Sequence, residues 1–482
     1  MLHLHDTATG SVRPIERRDA GRFAMYVCGP TVYDLPHLGH GRFALVFDVL
    51  RRYLAFSGLA VRHVSNVTDV DDKLIARAAA EGRAEAEVAA EYEARWWEAM
   101  DALDVLRPTD VPHATAYVDD MVSLVADLVS RGAAYETGDG VYLDVASVPG
   151  YGLLARQPLE SLRAGARVEQ REEKRSPLDF ALWKKARPGE PTWESPWGPG
   201  RPGWHTECVV MSLGLLGEDF DLHGGGQDLA FPHHENERAQ AVAAGRGFAR
   251  HWVHNGWVTV DGVKMSKSLD NFTSLTDMLA RSDPRSYRLL VLRSHYRSPL
   301  EVTGPTVADA EKALARLDAL ARRFSLPDPL APAPAGGSGV PGPGRAPPMV
   351  AAAPVVAGTG AAAHVDPEPL TRFTARMDDD LDTPGALAGI FELVSRANAV
   401  ADAGDLDAGA RLARTVVVLC AALGLRLRGD PGEPDEGVRR LVGERDTARR
   451  AGDWGRADAL RDELAAAGWV VEDGPGGTMV HR

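Results

Sequence analysis

Four side chains that bind borderline metal ions stand at three places along the chain. They are two cysteines, a histidine and a glutamate, namely Cys28, Cys208, His233 and Glu237. His233 and Glu237 are four residues apart in PHHENE, so they share one face of a helix whose first turn can hold Pro232. Two thiolates, an imidazole and a carboxylate form a tetrahedral set suited to zinc. The sequence therefore indicates a metal site.

Neighbouring residues leave the choice of ligands open. His234 and Glu235 belong to the same PHHENE string and offer the same kinds of ligand atom. Buried free cysteines are also common in protein cores that hold no metal. Cys420, within the apolar run VVVLCAALGL, is expected to be such a core residue. Residue types and spacing thus support a four-ligand site without selecting each ligand.

A second group of residues has the chemistry of a phosphate site. The string HLGH at 37–40 stands where a strand is followed by a helix, and a helix N-terminus presents backbone N–H groups to phosphate. Gly39 allows a ligand to approach the backbone closely. More than two hundred residues later, Lys264 and Lys267 in KMSKS supply point charges suited to a triphosphate. Two of only seven lysines fall in that string, which favours a nucleotide site.

Alternating elements must position these groups. Apolar runs at 23–28 and 61–67 are typical of buried strands, and apolar residues at helical spacing lie between them. This β-α-β order predicts a parallel sheet with HLGH at the turn from strand to helix. Further strands are predicted at 220–223 and 253–260. Helical regions are predicted at 74–103, 305–324 and 370–427.

Composition narrows the class of protein. The 44% hydrophobic and 25% charged content suit a globular chain of several domains, and no apolar stretch is long enough to cross a bilayer. The first eleven residues carry no secretory signal, and three cysteines are too few for a disulfide framework, so we expect a cytoplasmic protein. A net charge of −14 argues against wholesale binding of nucleic acid but allows a local basic face.

Six strings occur in the order typical of one enzyme family. CGPTVYDLPHLGHGR, NVTDVDDK, GRPGWHTEC, DLHGGGQDLAFPHHENE, KMSKSLDN and HYRSPL resemble the successive signatures of cysteinyl-tRNA synthetases, and HxGH with a later KMSKS is the joint signature of class I aminoacyl-tRNA synthetases. The terminal RDTARRAGDWGRADALRDEL and EDGPGGT also resemble that family. The resemblance covers nearly the whole chain, with the Pro-, Ala- and Gly-rich stretch 327–369 as the main exception.

The resemblance implies an α/β fold: a class I Rossmann-like parallel-sheet catalytic domain with an insertion, then a helical bundle and a small C-terminal anticodon-binding domain. We expect six segments: 1–135, the first half of the catalytic domain; 136–200, a connective insertion; 201–260, its second half with the zinc site; 261–304, a KMSKS-bearing stem-contact region; 305–427, a helical bundle with a disordered insertion at 327–369; and 428–482, the anticodon-binding domain.

The activity implied by the resemblance is cysteine–tRNA ligation, in which ATP activates L-cysteine before its transfer to tRNA(Cys). One Zn²⁺ per chain would bind the substrate thiolate, which distinguishes cysteine from serine without editing. Mg²⁺ would accompany ATP, and we expect a monomer without a membrane partner. By the resemblance, the triphosphate and its transition state are bound by His37, His40, Lys264 and Lys267, and ATP is bound by Gly39, Gly225, Asp228 and Lys267. The amino acid is bound by Gly29, Thr68 and Trp204, and zinc is bound by Cys28, Cys208, His233 and Glu237. The anticodon is read by Arg449, Trp454, Asp458 and Asp473.

Two rival functions remain at this point. A related ligase joins cysteine to an amino sugar in mycothiol synthesis with the same zinc site, but it has no anticodon-reading end. A catalytically silent tRNA- or zinc-binding paralogue would not need HLGH, KMSKS and four metal-ligating positions together. Trp204 also fits a packing role, and each proposed anticodon residue fits an ordinary helical surface.

Overall fold

The elements of the chain were located in a computed structural model. It describes residues 1–156, 173–259, 274–328, 330, 365–429, 436–467, 469–474 and 477–481. The strands are β1 (His3–Asp6), β2 (Ser11–Pro14), β3 (Arg22–Val27), β4 (Ala60–Val64), β5 (Ala134–Glu136), β6 (Gly140–Leu143), β7 (Phe180–Lys185), β8 (Gly200–Pro202), β9 (Leu222–Gly226), β10 (Trp252–Asn255), β11 (Val258–Thr259), β12 (Leu300–Glu301), β13 (Val470–Gly474) and β14 (Gly477–His481).

Helices account for most of the remaining regular structure. They are α1 (Leu38–Phe56), α2 (Asp72–Glu81), α3 (Glu85–Ala102), α4 (Val118–Ser130), α5 (Trp204–Leu216), α6 (Glu235–Ala243), α7 (Leu275–Arg281), α8 (Pro284–Arg293), α9 (Gly304–Arg323), α10 (Pro367–Asp378), α11 (Thr383–Asp402), α12 (Leu406–Ala422), α13 (Glu436–Arg450) and α14 (Trp454–Ala466). Among the described ranges, none of these helices has both the length and the apolar character that a membrane span requires.

A parallel sheet forms the centre of the N-terminal unit. Its spatial order is β10-β9-β3-β4, and each neighbouring pair is parallel. The predicted β-α-β unit is present as β3-α1-β4. Side chains alternate across β3: Met25 and Val27 enter one hydrophobic core, whereas Tyr26 and the following Cys28 enter the other. This alternation places Cys28 on the same side of the sheet as α5.

Three predicted elements differ from the observed ones. The helical region 74–103 is two helices, α2 and α3, because Gly82 adopts a left-handed φ of 63° and ends the first of them. The segment expected as an insertion from residue 136 begins as a strand at Ala134, and β5-β6-β7-β8 form an antiparallel sheet. Helix α10 starts at Pro367, so the expected disordered insertion 327–369 overlaps an ordered helix. Proline favours a first helical turn, where its missing N–H needs no partner.

A helical unit and a small terminal unit complete the chain. Helices α9, α10, α11 and α12 contribute the largest buried apolar cluster together with α1 and α8. Most of the predicted insertion, 331–364, lies outside the described residues. In the terminal unit, α13 and α14 pack on the β13-β14 hairpin around a small core of Val438, Leu464, Trp469 and Val480.

A buried ion cluster joins the parallel sheet to the helical unit. Asp48 of α1 accepts hydrogen bonds from Arg52 at 2.8 Å and from Arg288 of α8 at 2.6 Å. Arg288 also donates to the Leu423 carbonyl at 3.2 Å, just beyond α12. The exposed fractions of the three charged residues are 2% for Asp48, 4% for Arg52 and 1% for Arg288. The cluster therefore holds α1, which carries HLGH at its start, against the rest of the fold.

Candidate metal centre and nucleotide site

The four predicted metal ligands meet in one buried cluster. Cys28 follows β3, Cys208 lies in α5, and His233 and Glu237 stand on either side of the start of α6. One ligand atom from each of the four lies within 4.8 Å of the others. The Sγ atoms of the cysteines are 3.6 Å apart, Cys208 Sγ is 3.6 Å from His233 Nε2, Cys28 Sγ is 3.5 Å from Glu237 Oε1, and His233 Nε2 is 3.0 Å from Glu237 Oε1.

These separations match those of a tetrahedral zinc set. Ligand bonds of about 2.3 Å to sulfur and about 2.0–2.1 Å to nitrogen or oxygen imply S···S separations of about 3.8 Å, S···N or S···O of about 3.6 Å and N···O of about 3.3 Å. Every observed distance lies within about 0.3 Å of these values. The cluster therefore has the donors and the dimensions that zinc requires.

Burial disfavours the charged forms of the two thiols and of the imidazole in this cluster. Burial and the nearby Cys208 and Glu237 raise the pKa of the Cys28 thiol well above its ordinary value, and burial also raises the pKa of Cys208. Burial lowers the pKa of His233 well below its ordinary value, an effect strengthened by His205 and His223. Thiols become good ligands only as thiolates, so a bound cation would have to displace their protons.

The structure distinguishes one of the two alternative metal ligands within PHHENE from the predicted set, but not the other. Glu235 turns away from the cluster, because it accepts from the Leu154 N–H at 2.6 Å and pairs with Arg238 at 3.2 Å. His234 stays close, with Nε2 3.3 Å from Cys28 Sγ. A second set of four donors with mutual distances below 4.8 Å therefore shares two ligands with the first: Cys28, His223, His234 and Glu237.

Outer contacts orient the first set, and His234 of the second set has a matching contact, because its Nδ1 lies 2.8 Å from His254 Nε2. His223 Nε2 lies 2.7 Å from Glu237 Oε2, which leaves Oε1 of the same carboxylate facing the thiols. His233 uses Nδ1 for a 2.8 Å contact with His205 Nδ1, which leaves its Nε2 facing the cluster. Metal-bound histidines and carboxylates are usually oriented by such second contacts. Sequence reasoning missed both His205 and His223, although each adjoins a motif that it used, GWHTEC and HGGG.

The helix that carries PHHENE begins later than expected. Residues Ala230–His234 form an irregular turn in which Phe231 has a non-helical conformation, and α6 proper starts at Glu235. Pro232 therefore precedes the regular helix. His233 and Glu237 nevertheless face the same point, as their four-residue spacing predicts.

HLGH lies at the N-terminus of α1, as predicted. His37 is the N-cap, and the backbone N–H groups of His37 and His40 each donate to Nδ1 of the other imidazole at 3.2 Å. The two rings stack with centroids 3.5 Å apart. Burial lowers the pKa of both histidines. Because each neutral ring accepts at Nδ1, its proton resides on Nε2, and both histidines have an Nε2–H available as a donor.

The structure describes only some of the other residues that were predicted to bind the nucleotide. Asp228 is exposed in a short turn after β9 and lies close enough to His37 to act on it electrostatically. Gly225 is buried, and a Cβ there would lie 2.9 Å from the His234 ring, so this glycine is required by side-chain packing. Lys264 and Lys267 of KMSKS lie outside the described residues.

The residues predicted to bind the amino acid substrate lie beside the cluster of four metal-ligating side chains. Thr68 is buried, and its N–H donates to the Pro30 carbonyl at 3.0 Å, which brings it next to Gly29. Trp204 is 36% exposed and stacks on His233 with ring centroids 4.0 Å apart. A cleft of about 1310 Å³ opens beside Trp204 and extends to the insertion sheet, where its lining includes Lys184. The cleft also borders His205, so it touches both of the side chains that contact the His233 ring, Trp204 and His205.

In the terminal unit the four predicted anticodon residues fall into two groups. Trp454 is 63% exposed at the start of α14, and exposed Asp458 follows one turn later. Asp473 of β13 accepts from Arg449 at 2.5 Å and from Arg445 at 2.6 Å. Arg445, which sequence reasoning did not select, is 3% exposed. An exposed indole is suited to stacking on an unpaired base, and an Arg–Asp pair is suited to hydrogen bonding with base edges.

Comparisons with known proteins assign nearly all of this architecture. Residues 14–312 match the tRNA synthetases class I (C) catalytic domain, residues 372–428 match the DALR domain, and residues 431–480 match the cysteinyl-tRNA ligase anticodon binding domain. The chain is 44% identical over 496 residues to the cysteine–tRNA ligase of Alkalilimnicola ehrlichii and 44% identical over 494 residues to that of Thioalkalivibrio sulfidiphilus. Each comparison covers 100% of both chains.

Solved structures agree on the fold. A methionyl-tRNA synthetase from Mycobacterium tuberculosis, in complex with methionyl-adenylate, superposes with a TM-score of 0.55 at 17% identity, covering 84% of this chain and 90% of the other. The class I α/β fold with helical C-terminal units is thus confirmed. On the strength of its catalytic domain, its anticodon binding domain and its full-length relatives, the chain belongs to the cysteine–tRNA ligase family of class I tRNA synthetases.

Proposed function

We propose that this chain activates L-cysteine with ATP and transfers the cysteinyl group to tRNA(Cys). The observation that carries the proposal is the buried set of four donors in a chain that belongs to this family. The related mycothiol ligase has no anticodon-reading end, whereas residues 431–480 match such a domain. The silent-paralogue reading is disfavoured because the donors and the HLGH cap are in place.

Selection of cysteine would rest on a zinc site formed by Cys28, Cys208, His233 and Glu237. Zinc, when bound, supplies a Lewis acid for the substrate's thiolate, which the hydroxyl of serine cannot match. The protein's part is to hold four donors at tetrahedral separations with room for one more ligand. Trp204 stacks on one of them and stands at the mouth of the cleft, so it is suited to closing over a bound amino acid.

The first reaction would form cysteinyl-adenylate. A carboxylate oxygen of cysteine attacks the α-phosphorus of ATP, a carboxyl-oxygen–phosphorus bond forms, and the bond to pyrophosphate breaks. The Nε2–H donors of His37 and His40 would stabilise charge on the phosphates, together with Lys264 and Lys267, which the family resemblance assigns. On the same basis we assign four residues to ATP binding: Gly39, Gly225, Asp228 and Lys267. Mg²⁺ would accompany the nucleotide.

The second reaction would transfer the cysteinyl group to the tRNA. A hydroxyl of the terminal ribose attacks the activated carbonyl carbon, an ester bond forms, and AMP leaves. Reading of the anticodon would fall to the residues named in the terminal unit: Arg449, Trp454, Asp458 and Asp473. Six segments in the order given above, with the insertion sheet beginning at Ala134 and the helical unit resuming at Pro367, complete the proposal together with a monomeric state and a cytoplasmic location.

Metal content and cysteine-dependent pyrophosphate exchange test this function together. The intact chain is expected to hold one zinc, to exchange pyrophosphate with cysteine and not with serine, and to charge tRNA(Cys). Cys208→Ser is expected to lose the zinc and to lower cysteine activation by more than about 100-fold. Cys420→Ser is the matched control, because Cys420 is equally buried but lies in α12, away from the cluster.

Three outcomes would contradict the proposal at different points. Exchange without charging of tRNA(Cys) would favour the amino sugar ligase. Bound zinc without any exchange would favour the silent paralogue. Unchanged metal content and cysteine selectivity in Cys208→Ser would remove Cys208 from the site and favour the second donor set, which contains His223 and His234.

A further inference from the structure

Three buried polar side chains form a directed run of hydrogen bonds beside the proposed amino acid pocket. The Gly29 N–H donates to Asn66 Oδ1 at 2.9 Å, Asn66 Nδ2 donates to Thr68 Oγ1 at 3.1 Å, and Thr68 Oγ1 donates to Glu207 Oε2 at 2.8 Å. Asn66, Thr68 and Glu207 are 2%, 1% and 1% exposed. Such a fully enclosed run is costly to leave unsatisfied, so its members hold one another in place.

Each bond in this run determines the direction of the next. The Gly29 N–H can only donate, so Asn66 must turn its carbonyl oxygen towards Gly29 and its NH₂ group towards Thr68. A hydroxyl has one hydrogen and two lone pairs. Thr68 commits its hydrogen to Glu207 and accepts at one lone pair from Asn66. Within the described ranges no third group bonds to this oxygen, so its remaining lone pair can accept a hydrogen bond from a ligand.

The two ends of the run adjoin two proposed zinc ligands. Gly29 directly follows Cys28, and Glu207 directly precedes Cys208 in the first turn of α5. The run therefore sets Thr68 at a fixed position relative to the thiols. A substrate held at its sulfur by the cluster would carry its α-ammonium group only three bonds away from that sulfur.

The charges around Glu207 are suited to a cationic group. Burial raises the pKa of Glu207 well above its ordinary value, and the nearby acidic groups Asp71, Asp69 and Glu237 raise it further. In the described part of the chain, no lysine or arginine nitrogen forms an ion pair with Glu207. Acidic groups without a protein cation favour a ligand that brings its own positive charge.

We propose that Glu207 is a positioning residue that acts through Thr68 to prepare an acceptor for the α-ammonium group of the substrate amino acid. It does not touch the substrate. An oxygen of its side chain takes the Thr68 hydrogen, so that the Thr68 oxygen presents a lone pair and not a hydrogen to the ammonium. This inference rests on the proposed function and extends it from recognition of the thiol to recognition of a second group.

Variants of Glu207 in the full-length chain separate this role from a purely structural one. Glu207→Gln keeps an oxygen that can accept from Thr68, whereas Glu207→Leu has no acceptor. The two probes are cysteine and 3-mercaptopropionate, which has the thiol and carboxylate of cysteine without the ammonium. We measure KM and kcat for cysteine-dependent pyrophosphate exchange, inhibition by 3-mercaptopropionate, and zinc content.

Glu207→Leu is expected to raise KM for cysteine by about 10- to 100-fold, as for the loss of a charge-assisted hydrogen bond, with kcat within threefold of the intact chain. Its Ki for 3-mercaptopropionate should stay within twofold, and its zinc content should be unchanged. Glu207→Gln should remain within fivefold of the intact chain for all of these quantities.

Several results would overturn the inference. One is an equal rise in KM for cysteine and Ki for 3-mercaptopropionate, which indicates general damage to the pocket. Another is a Glu207→Gln variant as impaired as Glu207→Leu, since the acceptor would then not be the decisive feature.

A second pair of variants covers a failure of Glu207→Leu to fold. Thr68→Val should reproduce the selective rise in KM for cysteine, and Thr68→Ser, which keeps the hydroxyl, should restore cysteine binding. If neither differs from the intact chain, the inference is wrong. An intact chain that shows no cysteine-dependent exchange at all would instead contradict the proposed function, so the two failures are distinguishable.

Discussion

Removal of the charge on Asp48 is expected to destabilise the chain strongly, because two buried guanidinium groups depend on it. Burial opposes the charged form of Asp48, but Arg52 and Arg288 outweigh this effect and lower its pKa from 3.8 to about 2. A pKa change of one corresponds to about 1.4 kcal/mol. Because the pKa of Asp48 falls from 3.8 to about 2, the ionised carboxylate stabilises the folded chain by about 2.5 kcal/mol. Breaking a buried ion pair from one side typically costs about 3–5 kcal/mol, which is of the same order.

The sign of the pH dependence follows from the lowered pKa. The unfolded chain takes up a proton on Asp48 at a higher pH than the folded chain does. The stabilisation is therefore complete above about pH 4 and declines as the pH falls towards 2. The difference in stability between the intact chain and Asp48→Asn should consequently be constant from pH 7 to pH 5 and smaller below pH 4.

Urea unfolding followed by tryptophan fluorescence measures this difference. Asp48→Asn should lower the free energy of unfolding by about 2–4 kcal/mol at pH 7. The matched control is Asp101→Asn, which removes a carboxylate from an exposed pair with Arg107 and should cost below about 1 kcal/mol. Equal effects of the two substitutions, or a difference that grows as the pH falls below 4, would refute the reasoning.

Three further predictions concern packing, metal binding and tRNA. A Cβ at Gly224 would lie 2.3 Å from the buried ring of Phe47, so Gly224→Ala should lower the stability of the chain by about 1–3 kcal/mol. Thermal unfolding measures this effect. The control is Gly214→Ala, which should not destabilise the chain because Gly214 lies in a helix with open space around it. Glu235→Gln should leave zinc content unchanged while Glu237→Gln lowers it, and metal analysis of both tests this; equal losses would contradict our choice of ligand. Trp454→Ala should raise KM for tRNA(Cys) by about 10-fold without altering pyrophosphate exchange, and an impaired exchange rate would argue against a role confined to tRNA.

Local patterns were sufficient to predict the elements that position the site. Apolar runs and helical spacing predicted the β3-α1-β4 unit with HLGH at its turn, because both signals depend on residues within one turn or strand. The four-residue spacing of His233 and Glu237 predicted that they face one point. The break between α2 and α3 was missed, although Gly82 carries the signal, because helical alanine and glutamate dominate on both sides.

Long-range polar pairing could not be predicted. Thr68 and Glu207 are 139 residues apart, and Asp48 and Arg288 are 240 residues apart. No periodicity relates such partners, since their meeting depends on how whole elements pack. The choice between Glu235 and Glu237 is of the same kind, because it is decided by Leu154 and Arg238 and not by the PHHENE string.

The distribution of the metal donors along the chain has a consequence for biosynthesis. Cys28 and Glu237 are 209 residues apart in sequence. At a synthesis rate of about 5–20 residues per second, the ribosome adds the last donor about 10–40 s after the first. Cys28 emerges without its partners and must stay reduced through this interval. Zinc is therefore expected to load late in translation, after the strands on both sides of β3 exist, and metal limitation should leave nascent chains with a free, oxidisable thiol.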